Sequence, residues 1–454
     1  MRGRSFLLWL AVLSSLACTV LSSQVGAPAG QATSVVRLAE FSTATPSQTP
    51  LPTPSPTLTS TPTATTPATA TPSLPSPTAT SATVSPVVAS VPQAEPSPIP
   101  PPVVSAPQNK AVEGIAPQPE IAALVVSQNH LGYGVQLAEA KNMELAVPNG
   151  FTWAKHDLNL RKGMNFISNA DNLLSDLRKY GAEHVLLKLV VWTDGGVPDA
   201  PRTPDEIKNF ADNAGEVAGH IRSRYGDLYK TISYEIWNEP NLNYEWEGNP
   251  NPAEFVNLIR ATAAAIREAD PQAVIVSGAP SPGGDFDDLK FLEGMYQNGL
   301  TGLVDAVGSH PYGGPFPPDH PNGIDAQGNG YPYFRKPEAQ RAIMERYGDS
   351  ATQIWATEFS WLAGLPECNF GEHTLWQVTP QQQADYLVEA YDYAHRNWPW
   401  MGPMFVVYDF AISGRYDRCH PAAGYSLLRP DPNTNEVITP AAAALFAMEK
   451  HPGW

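Results

Sequence analysis

From about Pro119 to Trp454, short apolar, β-branched runs alternate with helical patterns, and this alternation constrains the fold more than any other feature of the chain. The runs predict eight strands: Leu131–Leu137, Phe151–Asp157, His184–Trp192, Ile232–Trp237, Ala273–Gly278, Val304–Ser309, Gln353–Thr357 and Met404–Tyr408. Stretches such as HVLLKLVVW and AVIVSG are apolar without alternation, the pattern of strands buried on both faces. The helices between them announce their starts. Thr203-Pro204-Asp205-Glu206, Asn251-Pro252-Ala253-Glu254 and Thr379-Pro380-Gln381-Gln382 each set a capping side chain before a proline at the first helical position, and Thr439-Pro440 opens the same way. Phe255, Leu258, Ile259 and Ile266 mark one apolar stripe, and Asp270-Pro271 ends that helix. Eight strands alternating with helices fit an α/β fold, the (β/α)8 barrel with long loops. The competitor is an open doubly wound sheet, but no glycine-rich phosphate turn follows the first strand.

The residues before this region have a different character. Arg2 and Arg4 precede the apolar run Phe6 to Leu16, and small residues follow, so 1–23 reads as a signal peptide too short for a convincing membrane span. Ser15-Leu16-Ala17-Cys18 resembles a lipoprotein box with Cys18 as the lipidated residue; simple cleavage and release is the alternative. Residues 24–118 form a Pro/Thr/Ser-rich linker whose composition cannot bury a core. Frequent proline biases it toward extended polyproline II, either a stalk or a tolerated low-complexity spacer. The expectation is an extracellular or cell-surface protein, with a barrel domain over 119–454 and membrane contact only through an N-terminal lipid anchor.

A formal net charge of −17, with only 28 Lys and Arg, repels phosphate backbones and anionic headgroups, so nucleic acid is a poor partner. Aromatic residues offer flat faces that stack on sugar rings, or ordinary core packing.

Barrel enzymes carry their reacting groups at the C-terminal ends of strands. Two of the predicted strands here end in glutamate: the fourth, in TISYEIWNEPNLNYEW, at Glu239, and the seventh, in QIWATEFSW, at Glu358. Two carboxyls on one rim, one protonated and one ionised, are the equipment of glycoside cleavage, and the retaining form needs them about 5–5.5 Å apart. WNEPNL followed by Trp, together with ATEFSW, resembles glycoside hydrolase clan A, most closely family 39, with family 5 cellulase-like enzymes next. The resemblance covers the chain from roughly Leu131 onward. It implies Glu239 as acid/base, Glu358 as nucleophile, Asn238 as the contact to a sugar 2-hydroxyl, a carbohydrate substrate and no cofactor. Ser309-His310-Pro311-Tyr312 is similar to the clan's strand-six segment and nominates His310 and Tyr312 as orienting groups.

The same resemblance marks departures. Tyr408 stands where the clan often has Trp, and Lys155-His156 stand near where family 5 usually carries Arg. Trp192, Trp237 and Trp361, at or beyond strand ends, are candidates either for stacking on sugar or for packing beneath loops. The Gly- and Pro-rich stretch Pro311 to Pro337 is expected to wall the sugar cleft, with a solvent-exposed insertion as the alternative. A metal site of His310, Asp319 and His320 matches no ligand spacing and is discounted. Cys368 and Cys419, in loops after adjacent strands, are expected to form a disulfide. The function expected is hydrolysis of β-linked neutral sugars; transglycosylation and a non-catalytic carbohydrate-binding surface protein are the alternatives.

Overall fold

The structure, a computed structural model, describes residues 130–414, 416–430 and 437–454. The signal segment, Cys18 and the Pro/Thr/Ser-rich stretch lie outside the described residues.

Eight parallel strands close into a barrel. They are β1 (Tyr133–Gln136), β2 (Trp153–Asn159), β3 (His184–Val190), β4 (Thr231–Ile236), β5 (Val274–Ser277), β6 (Ala306–Ser309), β7 (Gln353–Phe359) and β10 (Met401–Val407). β1 pairs with both β2 and β10, which seals the sheet, and the others follow in chain order. A small separate ladder, β8 (Leu362–Ala363) with β9 (Gln377–Val378), ties down the loop after β7. Helices connect the barrel strands, as expected for a (β/α)8 barrel. Pro204–Tyr225, Pro252–Ala269, Pro380–Asn397 and Pro440–Ala447 each begin at the proline that the sequence marks. Thr203 with Glu206, and Thr379 with Gln382, form complete capping boxes, each cap contributing on the order of 1 kcal/mol.

The third and seventh strands start where expected, the others shift by one or two residues, and the eighth shifts by three. The eighth barrel strand begins at Met401, because Gly402-Pro403, which reads as punctuation, lies inside it at a register shift against β7. A Cβ on Gly402 would come within 2.4 Å of the Trp355 indole, so glycine is what lets the two strands approach.

Alternation along each strand sorts side chains into two sets. Val135, Ala154, Val185, Leu187, Tyr234, Ile275, Val307, Ile354 and Met404 belong to the main core, where helices cover the sheet. Trp153, Leu186, Val276, Ala306, Trp355 and Phe405 point inward and plug the barrel floor. Trp153 and Trp355 meet there edge to face, with centroids 5.3 Å apart. One inward step further along β2, β3 and β4 the side chains become Lys155, Lys188 and Glu235, all fully buried. The polar site is therefore built on an aromatic floor.

β7 breaks its alternation. Ala356 and Phe359 both join the outer core, three residues apart, and the register against β10 shifts between them. Such a bulge re-aims side chains. Here it allows Thr357 and Glu358 to leave the outer core together.

Gly308 of β6 marks a second close approach, since a Cβ there would lie 2.3 Å from the Ser277 carbonyl oxygen of β5. Gly308→Ala is expected to destabilise the fold by about 1–3 kcal/mol through this overpacking, read as a lower urea midpoint with an unchanged slope.

Candidate active site

The end of β4 is bent sharply. Trp237 still donates its backbone N–H to Leu189 of β3, but its φ is 69°, and Glu239 has φ 33°. Left-handed backbone at residues other than glycine costs on the order of 1–3 kcal/mol each and persists only where surroundings enforce it. The enforcement is visible. The Trp237 ring packs edge-on to Phe210 and Trp246, and its indole N–H donates to the Glu245 carbonyl oxygen. Asn238 donates to the Glu245 carboxylate and accepts from Lys188. Asn241 donates to the carbonyls of Ser281 and Phe286 and accepts from the Ser281 N–H, which fastens the turn to the loop after β5. This strained turn swings Glu239 over the barrel mouth.

Glu358 arrives from β7 and is wrapped by donors. Gln136 of β1 donates to Oε1 at 2.7 Å, and Tyr312 donates to Oε2 at 3.0 Å. Lys155 Nζ lies 3.2 Å and Lys188 Nζ 3.4 Å from the same Oε1. Lys155 also pairs with Glu235 at 2.9 Å and donates to the Thr357 carbonyl, while Lys188 pairs with Asp157 at 3.1 Å.

Glu239 is held differently. Its Oε1 is 2.9 Å from His310 Nδ1, whose ring places Nε2 3.9 Å from Glu358 Oε1. One imidazole thus spans the two carboxyls, so both face a single space. Glu239 Oε2 and His310 Nε2 are buried and have no hydrogen-bond partner among the described residues. A buried polar atom left bare costs about 1–3 kcal/mol, and such atoms concentrate where a ligand completes the shell.

The electrostatics separate the two acids. Four carboxyls (Asp157, Glu235, Glu245 and Glu358) surround two ammonium groups, Glu239 lies beyond them, and all five are nearly or fully buried, so the cluster cannot sustain every negative charge. Burial pushes the Glu239 carboxyl above the usual range; His310 opposes this, and the charges of Glu358 and Glu245 add to it. Burial acts on Glu358 in the same direction, but Lys155, His310 and Lys188 overcome it and hold that carboxyl well below the usual range. Glu235 is raised, by burial against the pull of both lysines. Burial would lower Lys188, yet Asp157, Glu358 and Glu235 together hold it above the ordinary lysine range. Of the two rim glutamates, Glu239 is thus pushed toward the protonated form and Glu358 toward the anion.

Glu239, Glu358, Asn238, His310 and Tyr312 therefore come together. Trp361 and Tyr408 do not. Trp361 is fully buried under the Pro311–Pro337 loop, against Phe334 and Tyr386, with its indole N–H donated to the Phe316 carbonyl. Tyr408 continues the outward side of β10 after Val406 and packs in the main core, so it cannot form the floor of a sugar subsite. Trp192 is buried, and its backbone N–H and carbonyl are both bonded to the Asn159 amide. His320 stacks on Phe316, away from His310, whose Nδ1 is committed to Glu239.

Lys188, Glu235, Asp157 and Gln136 escaped sequence reasoning. Their signal was present as charged residues inside otherwise apolar strands, HVLLKLV above all, where a lone lysine has to find a buried partner. Lys155 is noticeable only as a departure from an expected arginine; the structure sets it beside Glu358.

Cys368 and Cys419 form a disulfide, joining the loops that follow β7 and β10, strands that are neighbours in the barrel.

Residues 199–315 match the family model described as Glycosyl hydrolases family 39. The resemblance is to family 39. That match takes in Glu239, His310 and Tyr312 but stops short of Glu358. A beta-xylosidase from Geobacillus stearothermophilus is 31% identical over 110 residues, covering 24% of this chain and 21% of the relative. One from Caldicellulosiruptor saccharolyticus is 28% identical over 111 residues, covering 24% and 22%. The aligned stretch thus spans about a fifth of these curated relatives. Among solved structures, a family 39 glycoside hydrolase from the gut symbiont Bacteroides cellulosilyticus WH2 is 19% identical with a TM-score of 0.49, covering 71% of this chain and 64% of that one.

The disulfide closes a loop with a sequence separation of 51. Changing both Cys368 and Cys419 to serine is expected to lower the unfolding free energy by about 2–4 kcal/mol in urea titration, because the unfolded chain regains that loop's freedom.

Proposed function

We propose that this chain is an exported retaining glycosidase that cleaves β-linked neutral sugars by double displacement, with Glu239 as acid/base and Glu358 as nucleophile. The observation that carries the proposal is the meeting of two buried carboxyls across one imidazole, Glu358 ringed by two ammonium groups and Glu239 by none, which pushes the first toward the anion and the second toward the acid. A retaining glycosidase needs that pairing of a proton donor and an anion. The family 39 match and the beta-xylosidase relatives support the substrate class. The signal-like residues 1–23 support export, with Cys18 as an anchor.

In the first step, a Glu358 oxygen attacks the anomeric carbon while the proton on Glu239 passes to the departing glycosidic oxygen. The products are a glycosyl ester on Glu358 and a free alcohol. Glu239, now an anion, then removes a proton from water as the water oxygen attacks the same carbon. This releases Glu358 as a carboxylate and regenerates the acid. The bare Glu239 Oε2 is the oxygen suited to carry the proton. Lys155 and Lys188 keep Glu358 ionised in a dry site, and Tyr312 orients it through Oε2. Asn238, fixed by Lys188 and Glu245, is the amide available to a 2-hydroxyl.

A panel of aryl β-glycosides tests the assignment. Wild type should release sugar with its anomeric configuration retained, detected by NMR in the first minutes of reaction. Glu239→Gln and Glu358→Gln should each reduce kcat by about 10²-fold or more while leaving oligosaccharide binding intact. Glycan binding without turnover of any substrate by wild type would replace the enzyme with a carbohydrate-binding protein.

The pH profile of kcat/KM follows from the same charges. Its acid limb reports ionisation of Glu358 and should fall below the ordinary glutamate range; its alkaline limb reports loss of the Glu239 proton and should lie above that range. Lys155→Met removes the cation that most favours the Glu358 anion, so the acid limb should move to higher pH. An unmoved acid limb in a folded Lys155→Met protein would refute this account of the site.

A further inference from the structure

At the end of the barrel that carries the carboxyl pair, the loops enclose a cavity of about 270 Å³. Its walls come from three loops: 282–288 after β5, 322–336 after β6, and Trp376 from the segment after β7. Each wall is mechanically connected to the candidate active site. Asn241, two residues beyond Glu239, grips Ser281 and Phe286 of the first loop. The second loop departs from Tyr312, which donates to Glu358. Trp376 shares a buried cluster with Tyr312, with Tyr331 packed against it.

The lining is aromatic and polar. The half-buried Tyr331 and Tyr333 and the buried Trp376 supply aromatic rings, and Asp287, Asp288 and Asn322 supply oxygen and amide groups. Lys336, the cation in the lining, is paired with the buried Asp288 at 2.9 Å, while Asp287 caps the helix Asp288–Gln297 by accepting from the Lys290 N–H, so the side chains of the lining carry one more acid than base. A net acidic lining disfavours anionic sugars. At the mouth, Ile324 is 44% exposed, and Leu375, next to Trp376, is 66% exposed. Flat aromatic faces, hydrogen-bonding groups and an apolar lip are the combination that a neutral sugar ring, apolar on its faces and polar at its edge, fits.

We infer that this cavity binds a further neutral sugar unit of the substrate, outside the pair cleaved, so that the enzyme prefers oligosaccharides to single glycosides. This deepens the glycosidase reading and rests on it for turnover, though not for binding. The Pro311–Pro337 loop, a wall of the cavity, is then a specificity element.

Two variants probe it without touching the carboxyl cluster. A Cβ on Gly330 would meet only Ile324 Cδ1, at 3.9 Å, so Gly330→Phe has room to enter and fill the cavity; Tyr333→Ala removes one ring face. The probes are an aryl β-glycoside and neutral β-1,4-linked xylo-, cello- and manno-oligosaccharides of increasing length. In wild type, kcat/KM should rise with chain length. Both variants should cancel about tenfold of that gain on the longer members, with the aryl glycoside unchanged. Equal losses on the aryl glycoside and the oligosaccharides, or no loss on either, would overturn the inference. Should wild type turn over no glycoside, the proposed activity fails while the cavity remains testable by calorimetry with the same oligosaccharides. Weaker binding in Gly330→Phe then supports the cavity, and binding that is absent or unchanged refutes it.

Discussion

The contact between two buried ammonium groups and Glu358 is the interaction on which the rest of the site depends. A carboxylate with almost no exposure to water would ordinarily take up a proton, because desolvation penalises its charge. Lys155 and Lys188 reverse that outcome, but buried lysines need counter-charges of their own, and Glu235 and Asp157 supply them. The result is a closed electrostatic unit resting on an aromatic floor. Removing one member of such a unit leaves a charge uncompensated and typically costs several kcal/mol, so its ordering is a property of the group as a whole.

The same unit accounts for the asymmetry of the two rim glutamates. Glu358 sits at its centre and receives donors from β1, β2, β3 and the turn after β6. Glu239 sits above it on a strained turn, within reach of one imidazole and of the negative potential of Glu358. Burial is common to both; the position of the cations differs. The strain at Trp237 and Glu239 is what lifts the second glutamate clear of the lysines. A relaxed continuation of β4 would run it along the strand instead.

The loops add a second level of organisation. Asn241 ties the turn after β4 to the loop after β5, and Tyr312 begins the long loop after β6. Trp361 lies beneath that long loop: a Cβ on Gly313 would fall inside its indole, and the indole N–H is bonded to Phe316. Aromatic residues that offer themselves to sugar when read along the chain are thus partly spent on holding up the loops at the barrel mouth.

By itself the sequence determined the barrel, the helix starts at Pro204, Pro252, Pro380 and Pro440, and the two strand-end glutamates, because these are local signals of capping, patterning and turn chemistry. The faces of individual aromatics and the partners of buried charges were not local. Tyr408 points into the core because of its parity in β10, and Glu358 points inward because β7 bulges against its neighbour. Lys155, Lys188 and Glu235 lie on three neighbouring strands and meet once the registers are set, and Glu358 of β7 joins them only when the sheet closes. Tertiary structure decided which carboxyl is pushed toward the acid and which toward the anion, since that depends on distances to cations contributed by other strands.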